Sequence, residues 1–177
     1  GTAEAHQLRL AFEKISGKDL NWFFNQWYFG AGHPELDIKY TFEPVKKQVN
    51  LSISQVKNGG YFQFPLAIDV YENGVASRYN VWVDAKSKND FNFSFKTQPN
   101  LVNVNADQLL LGKINDSKTA DQYYVQYTKS KEFKSRYLAV EDAKEKIKDN
   151  SAYIKTIAVA LKDPSPRIRK LAISAID

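Results

Sequence analysis

Histidines are the side chains of this sequence best suited to hold a catalytic metal, and there are only two of them. His33 stands in a Gly-His-Pro turn and His6 lies far back along the chain, so neither belongs to a paired pattern such as H-E-x-x-H. The absence of cysteine excludes thiolate ligands and a thiol nucleophile. We therefore interpret His33 as a structural turn residue and expect no metal site or cofactor in this chain.

Other chemistry-bearing residues also have ordinary structural explanations. Asp69, Glu72 and Asp84 lie near the ends of predicted strands, but a glycosidase-type pair needs a defined separation between two carboxylates. Arg78 and Trp82 share one strand face and could form a cation–π pair or a partner patch, although an exposed sheet face is the simpler interpretation. Phosphate-binding glycine loops, nucleophile elbows and dinucleotide fingerprints are missing.

The composition is that of a globular protein, with 43% hydrophobic and 25% charged residues in 177. Apolar runs are too short to cross a membrane, and the net charge of +5 comes from lysines interleaved with acids, as at Asp142–Lys148. We therefore predict neither a membrane nor a nucleic-acid partner. The sequence begins with Gly1 and contains no methionine, which favours a piece of a longer protein.

Two helices are predicted in the first thirty residues. Their apolar residues recur at helical spacing: Ala5, Leu8, Phe12 and Ile15 in the first, and Leu20, Phe23, Phe24, Trp27 and Tyr28 in the second. Gly17 supplies the left-handed end of the first helix and Asp19 the N-cap of the second. Aromatic residues at helical spacing are more often core or interface than a ligand pocket or a base-stacking platform. We predict an interdomain interface at Phe23, Phe24 and Trp27.

From Leu36 onward the apolar period changes to two, which predicts six or seven short strands and an antiparallel β-sandwich. The alternating runs are Leu36–Phe42, Val49–Ile53, Phe62–Val70, Tyr79–Val83, Phe91–Phe95 and Val102–Val104, with Leu109–Leu111 as a last apolar run. Asn73-Gly74 predicts a tight hairpin. Pro65 suggests an edge position or a bulge in its strand.

After Gly112 the period returns to that of helices, over residues 119–127, 132–148 and 151–161. The second of these helices shows an apolar stripe: Phe133, Tyr137, Val140 and Ile147. A turn from Asp163 to Pro166 leads into another helix, whose Ile168, Leu171 and Ala172 should face a neighbour while Arg169 crosses the turn to an acidic or carbonyl partner. This arrangement is typical of a HEAT-like solenoid repeat. Since the sequence stops at Asp177, we predict that Ile168 and Leu171 meet a further repeat.

The run from Ile15 to Tyr28, closed by Gly32-His33-Pro34, resembles the end of the catalytic domain of the M1 family of zinc aminopeptidases. Further segments fit that resemblance in order: 64–70, 80–84 and 103–107 in the sandwich, then Gln122-Tyr123-Tyr124 at the start of the helices. The resemblance implies three parts and a multi-part α+β fold. Residues 1–34 would be the helical tail of the catalytic domain, 35–114 the β-sandwich domain, and 115–177 the start of a HEAT-like helical domain.

The family's zinc motif, exopeptidase motif and catalytic tyrosine have no matching positions here, so the resemblance implies no catalytic, metal or substrate-binding residue in this chain. It implies a non-catalytic scaffold, with zinc and peptide substrates belonging to the parent protein. Expected partners are the parent's catalytic and remaining helical domains, or a second copy through weak self-association.

Two alternatives stay open. One is an interaction module of a catalytically inactive M1-like protein, such as the relative that serves as a transcription-factor subunit. The other is a free-standing sandwich module, which the helices at both ends disfavour. An H-E-x-x-H motif upstream in the gene would distinguish the enzyme from its inactive relative.

Overall fold

The computed structural model describes residues 4–56 and 59–176, which form six α-helices and seven strands. The helices are α1 (Ala5–Ser16), α2 (Asn21–Trp27), α3 (Ala120–Lys129), α4 (Phe133–Lys146), α5 (Ile154–Ala160) and α6 (Pro166–Ile173). The strands are β1 (Glu35–Glu43), β2 (Gln48–Val56), β3 (Phe64–Glu72), β4 (Val75–Val83), β5 (Lys88–Ser94), β6 (Leu101–Val104) and β7 (Lys113–Asp116). The predicted fold class, a sandwich flanked by helices on both sides in sequence, is confirmed. Gly1 and Asp177 lie outside the described residues.

The strands form two sheets, ordered β5-β2-β1-β7 and β4-β3-β6. Alternate side chains of each sheet point inward and fill one apolar core, in which Leu36, Ile53 and Ile68 are fully buried. The predicted hairpin is confirmed, because Asn73 and Gly74 both have positive φ angles and join β3 directly to β4. Because apolar and polar residues alternate along the strands, each sheet has one apolar face, and the two apolar faces pack together as a sandwich.

The last strand differs from the prediction. Leu109 and Leu111 are exposed, and the seventh strand is instead Lys113–Asp116, which pairs in parallel with β1. Gly112 permits this pairing, because a Cβ there would lie 2.6 Å from the Pro34 carbonyl oxygen. The sandwich is thus antiparallel except where its first and last strands meet.

Pro65 lies in the middle strand of its sheet, not in an edge strand. Only Ile68–Tyr71 of β3 pair with β6, so Pro65 precedes the part of the strand that has neighbours on both sides. At Pro65, β3 therefore has a neighbouring strand, β4, on one side only, as an edge strand does. The missing N–H of the proline costs the β3–β6 ladder no hydrogen bond.

Helices α3 to α6 surround a second apolar core, with α4 at its centre. The buried residues of α4 are small: Ser135, Ala139, Val140 and Ala143. The predicted stripe is therefore partly wrong, since Phe133 is exposed and alanines form the packed face that lets the neighbouring helices approach closely. As predicted, Ile168, Leu171 and Ala172 pack into this core. The Arg169 guanidinium donates to the Asp163 carbonyl at 2.7 Å, which is the carbonyl alternative expected for it.

Helices also pack on the outside of the sandwich. The Gln26 side chain of α2 makes two hydrogen bonds of 2.8 Å with the backbone of Gln63, and the Trp27 ring packs against Phe62. α3 contacts β6, and the Lys129 side chain lies against Gly74 of the hairpin. In the described part of the chain, none of the helices is both long enough and apolar enough to span a membrane.

Candidate functional site

The most prominent candidate site is an exposed apolar surface on the first two helices and the two residues that follow them. We call it the N-terminal surface, and its members are Leu8, Leu10, Phe12, Ile15, Phe23, Tyr28 and Phe29, each at least 43% exposed. α1 contains no buried residue at all. Large exposed apolar side chains gathered on one pair of helices favour a contact with another protein or domain.

Polar contacts hold α1 in place beside α2. The Glu13 carboxylate accepts a hydrogen bond from the Leu20 backbone at 2.9 Å, and Arg9 bonds the Asn21 side chain. The turn between the helices uses Gly17, whose φ of 67° gives the predicted left-handed end. Asp19 lies just before the cap position, and its carboxylate accepts from the Asn21 backbone, which lowers the pKa of Asp19. The surface is therefore presented in a defined conformation.

The five residues predicted as interdomain contacts are in different environments. Phe24 and Ile168 are covered by this chain's own residues, at 4% and 0% exposure, and Trp27 and Leu171 are partly buried against the two cores. Phe23 is the exposed member, at 43%, and belongs to the N-terminal surface. Contact of these residues with further domains stays a prediction, and the exposed side chains of α1 add to the area available for it.

The histidine environments do not fit a zinc ion. His33 Nε2 lies 3.5 Å from Glu35 Oε1, and His6 Nδ1 lies 3.1 Å from Glu4 Oε2. Within residues 4–56 and 59–176, no three histidine, cysteine or acidic side chains come close enough together to hold a metal. A structural zinc site uses four ligands and a catalytic one three. These histidines therefore lack the partners that such a site requires.

The three carboxylates considered as a catalytic pair each have a separate structural partner. Asp69 pairs with Arg78 on the neighbouring strand. Glu72 accepts hydrogen bonds from two backbone amides of the loop after β5, at 2.9 and 2.7 Å, and Asp84 pairs with Lys86. Arg78 is thus engaged with Asp69, and Trp82 packs on Trp22 of α2. These residues therefore do not form the cation–π pair that their positions on one strand face allowed.

Sequence reasoning missed a polar cleft between the sandwich and the helices. Its volume is about 370 Å³, and we call it the interlayer cleft. The residues that line it are Asn103, Val104, Gln108, Ile114, Asn115, Asp116, Ser117, Lys118, Tyr123, Gln126, Leu138, Asp142 and Lys146. They come from β6, β7, α3, α4 and the connecting loops, so no local motif could have shown them together.

Charges in the interlayer cleft are balanced. The Asp116–Lys118 ion pair has side chains only 5% and 9% exposed, and Lys146 donates to the Tyr123 hydroxyl at 3.1 Å. Burial raises the pKa of Asp142, against the opposing effect of Lys146. Burial and the nearby Asp142 charge raise the pKa of Tyr123 as well. Lys146 and Asp142, which the sequence shows only as interleaved charges, are therefore partly buried at this cleft.

These features define a β-sandwich that is preceded by helices with an exposed apolar surface. It is followed by a helical layer, α3 to α6, and the interlayer cleft lies between this layer and the sandwich. The fold is shared with an aminopeptidase. It is similar to part of aminopeptidase A from Legionella pneumophila, whose structure was solved in complex with aspartic acid, with a TM-score of 0.77 and 17% sequence identity. The match covers 100% of this chain and 22% of that one, and it concerns the fold alone. No protein-family model and no curated protein matches the sequence.

Proposed function

We propose that this chain is a non-catalytic scaffold of an M1-type zinc aminopeptidase, made of the end of the catalytic domain, the β-sandwich domain and the start of a HEAT-like helical domain. The observation that carries the proposal is the likeness of the whole chain to 22% of an aminopeptidase chain. The motif order from Ile15 to Tyr124 supports the same assignment. In the parent protein, a zinc ion held by residues outside this chain would activate water for attack on the first peptide bond of a peptide.

In this proposal, the N-terminal surface is where the scaffold contacts the rest of the catalytic domain. α1 presents apolar side chains that no described residue buries, and α2 is fastened to the sandwich by Gln26 and Trp27. The rest of the catalytic domain, seated on α1, would therefore be fixed relative to the sandwich through α2. The helices α3 to α6 would form part of the wall of the substrate chamber.

The test begins with the coding sequence upstream of residue 1. We expect it to encode H-E-x-x-H, and we expect the polypeptide it encodes to form a stable complex with this chain in size-exclusion chromatography. The complex should cleave an aminoacyl chromogenic substrate, with loss of cleavage on adding a chelator and recovery with zinc, whereas the isolated chain should be inactive. Cleavage by this chain alone would overturn the proposal. An upstream sequence without the zinc motif would favour the inactive, transcription-factor-like relative.

A further inference from the structure

Strand β4 forms one edge of its sheet, and no strand of the described residues lies on its other side. It pairs only with β3, from Val75 to Val83, without a bulge. Strand β5 is an edge of the other sheet, and the centroids of the Tyr79 and Phe93 rings, on β4 and β5, lie 4.4 Å apart. The two free edges therefore lie on the same side of the sandwich. A free edge is a row of unused backbone donors and acceptors that can pair with another strand.

The hairpin at Asn73-Gly74 determines which backbone groups face this free edge. Only two residues separate Glu72 from Val75, so this pair closes the turn with its own hydrogen bonds. Hydrogen-bonded pairs alternate along antiparallel strands, so the odd-numbered residues of β4 bond to β3. The N–H and C=O groups that point away from β3 belong to the even-numbered residues, which are Ala76, Arg78, Asn80 and Trp82. No other part of the described backbone pairs with these groups.

Strand β4 lacks the features by which edge strands avoid pairing with other chains. Such strands usually carry lysines, prolines or a bulge. β4 contains neither lysine nor proline, and its one charged side chain, Arg78, is bound to Asp69 of its own sheet. The edge strand beside it, β5, carries charges at Lys88 and Asp90. Of these two edges, β4 is therefore the one suited to pairing.

The sequence of β4 complements itself in one antiparallel register. When two copies meet with Tyr79 opposite Tyr79, even-numbered residues lie opposite one another, so every outward N–H and C=O of the strand finds a partner. The exposed Trp82 then lies opposite Ala76, the smallest side chain of the strand, and Arg78 lies opposite the neutral Asn80. A shift by two residues either places the two Arg78 side chains opposite each other, which like-charge repulsion disfavours, or leaves Ala76 beyond the end of the second strand.

We propose that β4 pairs with β4 of a second copy of this chain in this register, which joins the three-stranded sheets of the two copies into one continuous sheet. The pairing is two-fold symmetric, so it closes on itself and stops at a dimer. A single strand pair is a small interface, in the range below about 1,200 Å² in which association is weak and reversible. This inference does not depend on the proposed function, because it uses only residues within this chain.

The test is amide hydrogen exchange of the full chain, followed residue by residue in ¹⁵N-correlated NMR spectra. In the monomer, β3 protects the odd-numbered amides of β4, and the even-numbered amides are open to solvent. With a dissociation constant of about 0.1 mM, raising the protein concentration from about 0.05 to about 1 mM should slow exchange at Arg78, Asn80 and Trp82 about threefold. The odd-numbered amides should change much less. Exchange at the even-numbered amides that does not depend on concentration would overturn the proposal, and so would slowing confined to β5 or to the N-terminal surface.

Two variants at one exposed position locate the contact. Asn80→Lys would place two positive charges opposite Arg78 in each dimer and should weaken dimerisation at least about threefold, as measured by sedimentation equilibrium. Asn80→Pro removes an outward N–H without removing a bond to β3, and it should weaken dimerisation at least about tenfold.

Matched controls separate this edge from the other exposed surfaces. Asn92→Lys makes the same change at an exposed position of β5, and Phe12→Ser with Ile15→Ser alters the N-terminal surface. Both controls should dimerise as the unmodified chain does. Unchanged dimerisation of both Asn80 variants, or loss of the dimer in the N-terminal double variant, would overturn the assignment to β4.

Discussion

The Tyr127 hydroxyl of α3 donates a hydrogen bond of 2.9 Å to the Asp163 carboxylate in the turn before α6. The same carboxylate accepts from the Ser165 backbone at 2.8 Å and lies 3.4 Å from Arg136 Nε of α4. Three segments of the helical layer therefore meet at one side chain that is only 4% exposed.

Replacing Asp163 by alanine should lower the free energy of unfolding of the helical layer by about 1 to 3 kcal/mol, because the buried Tyr127 hydroxyl would lose its acceptor and the half-buried Arg136 would keep only the Lys131 carbonyl. Urea denaturation followed by far-ultraviolet circular dichroism measures this. Asp149→Ala, at an exposed position, is the matched control and should change stability by less than about 0.5 kcal/mol. Equal midpoints for the two variants would contradict a structural role for Asp163.

Alkaline pH should destabilise the chain. Burial raises the pKa of Tyr40, Tyr123 and Tyr127 above the ordinary value of 10.0, with added effects of Asp116, Asp142 and Asp163 respectively. Above pH 10 the unfolded chain therefore loses protons that the native chain keeps, and stability falls by up to about 1.4 kcal/mol per pH unit for each tyrosine. Stability measured across this range should fall less steeply in Tyr127→Phe. A slope equal to that of the unmodified chain would count against the Tyr127 contribution.

The N-terminal surface should matter for association and not for folding of the chain. Phe12 and Ile15 are 50% and 86% exposed, so their double replacement by serine should change stability by less than about 0.5 kcal/mol. The same change should weaken binding to the proposed catalytic partner at least about tenfold, as measured by calorimetry. A control with Val45→Ser and Val75→Ser, which are 94% and 71% exposed on the sandwich, should bind normally. Equal affinities of the two double variants would contradict the assigned surface.

Hydrogen exchange should separate the two helical ends of the chain. α1 has no buried residue, whereas Ile168 and Ala172 of α6 are fully buried. In a dilute monomer, amides of α1 should exchange through local opening at little cost, and those of α6 should open only with the helical core. Protection of α1 equal to that of β3 would require a contact that the described residues do not make.

Local sequence patterns predicted most of the elements but not every strand. Asn73, Gly74 and Gly17 all adopt the positive φ angles that asparagine and glycine favour. The hairpin turn and the end of α1 could therefore be recognised from the local sequence alone. β7 could not, because Ile114 is the only large apolar side chain in it and its pairing with Glu35–Ile38 is distant in sequence. The buried face of α4 was hidden for a related reason, since alanines signal packing less strongly than Phe133 does.

The interlayer cleft shows the limit of the sequence more clearly. Asn103 and Gln126 are ordinary polar residues in their own segments, and they line one cleft only because β6 and α3 meet. The ion pair of Asp116 and Lys118 looks locally like part of a solvated loop. Burial of such groups depends on how two layers pack, and hydrophobic periodicity does not contain that information.

The parallel pairing of β1 with β7 has a mechanical consequence. Tension between the N-terminal helices and the helical layer would pull β1 toward its start and β7 toward its end, in opposite directions along neighbouring strands. The hydrogen bonds of Glu35–Ile38 with Lys113–Asp116 would then be loaded together in shear, and Lys113 Nζ, 2.9 Å from Glu35 Oε1, would share the load. This strand pair would thus be the most direct covalent-chain route for force through the sandwich, beside the side contacts of α2 with Gln63 and of α3 with β6.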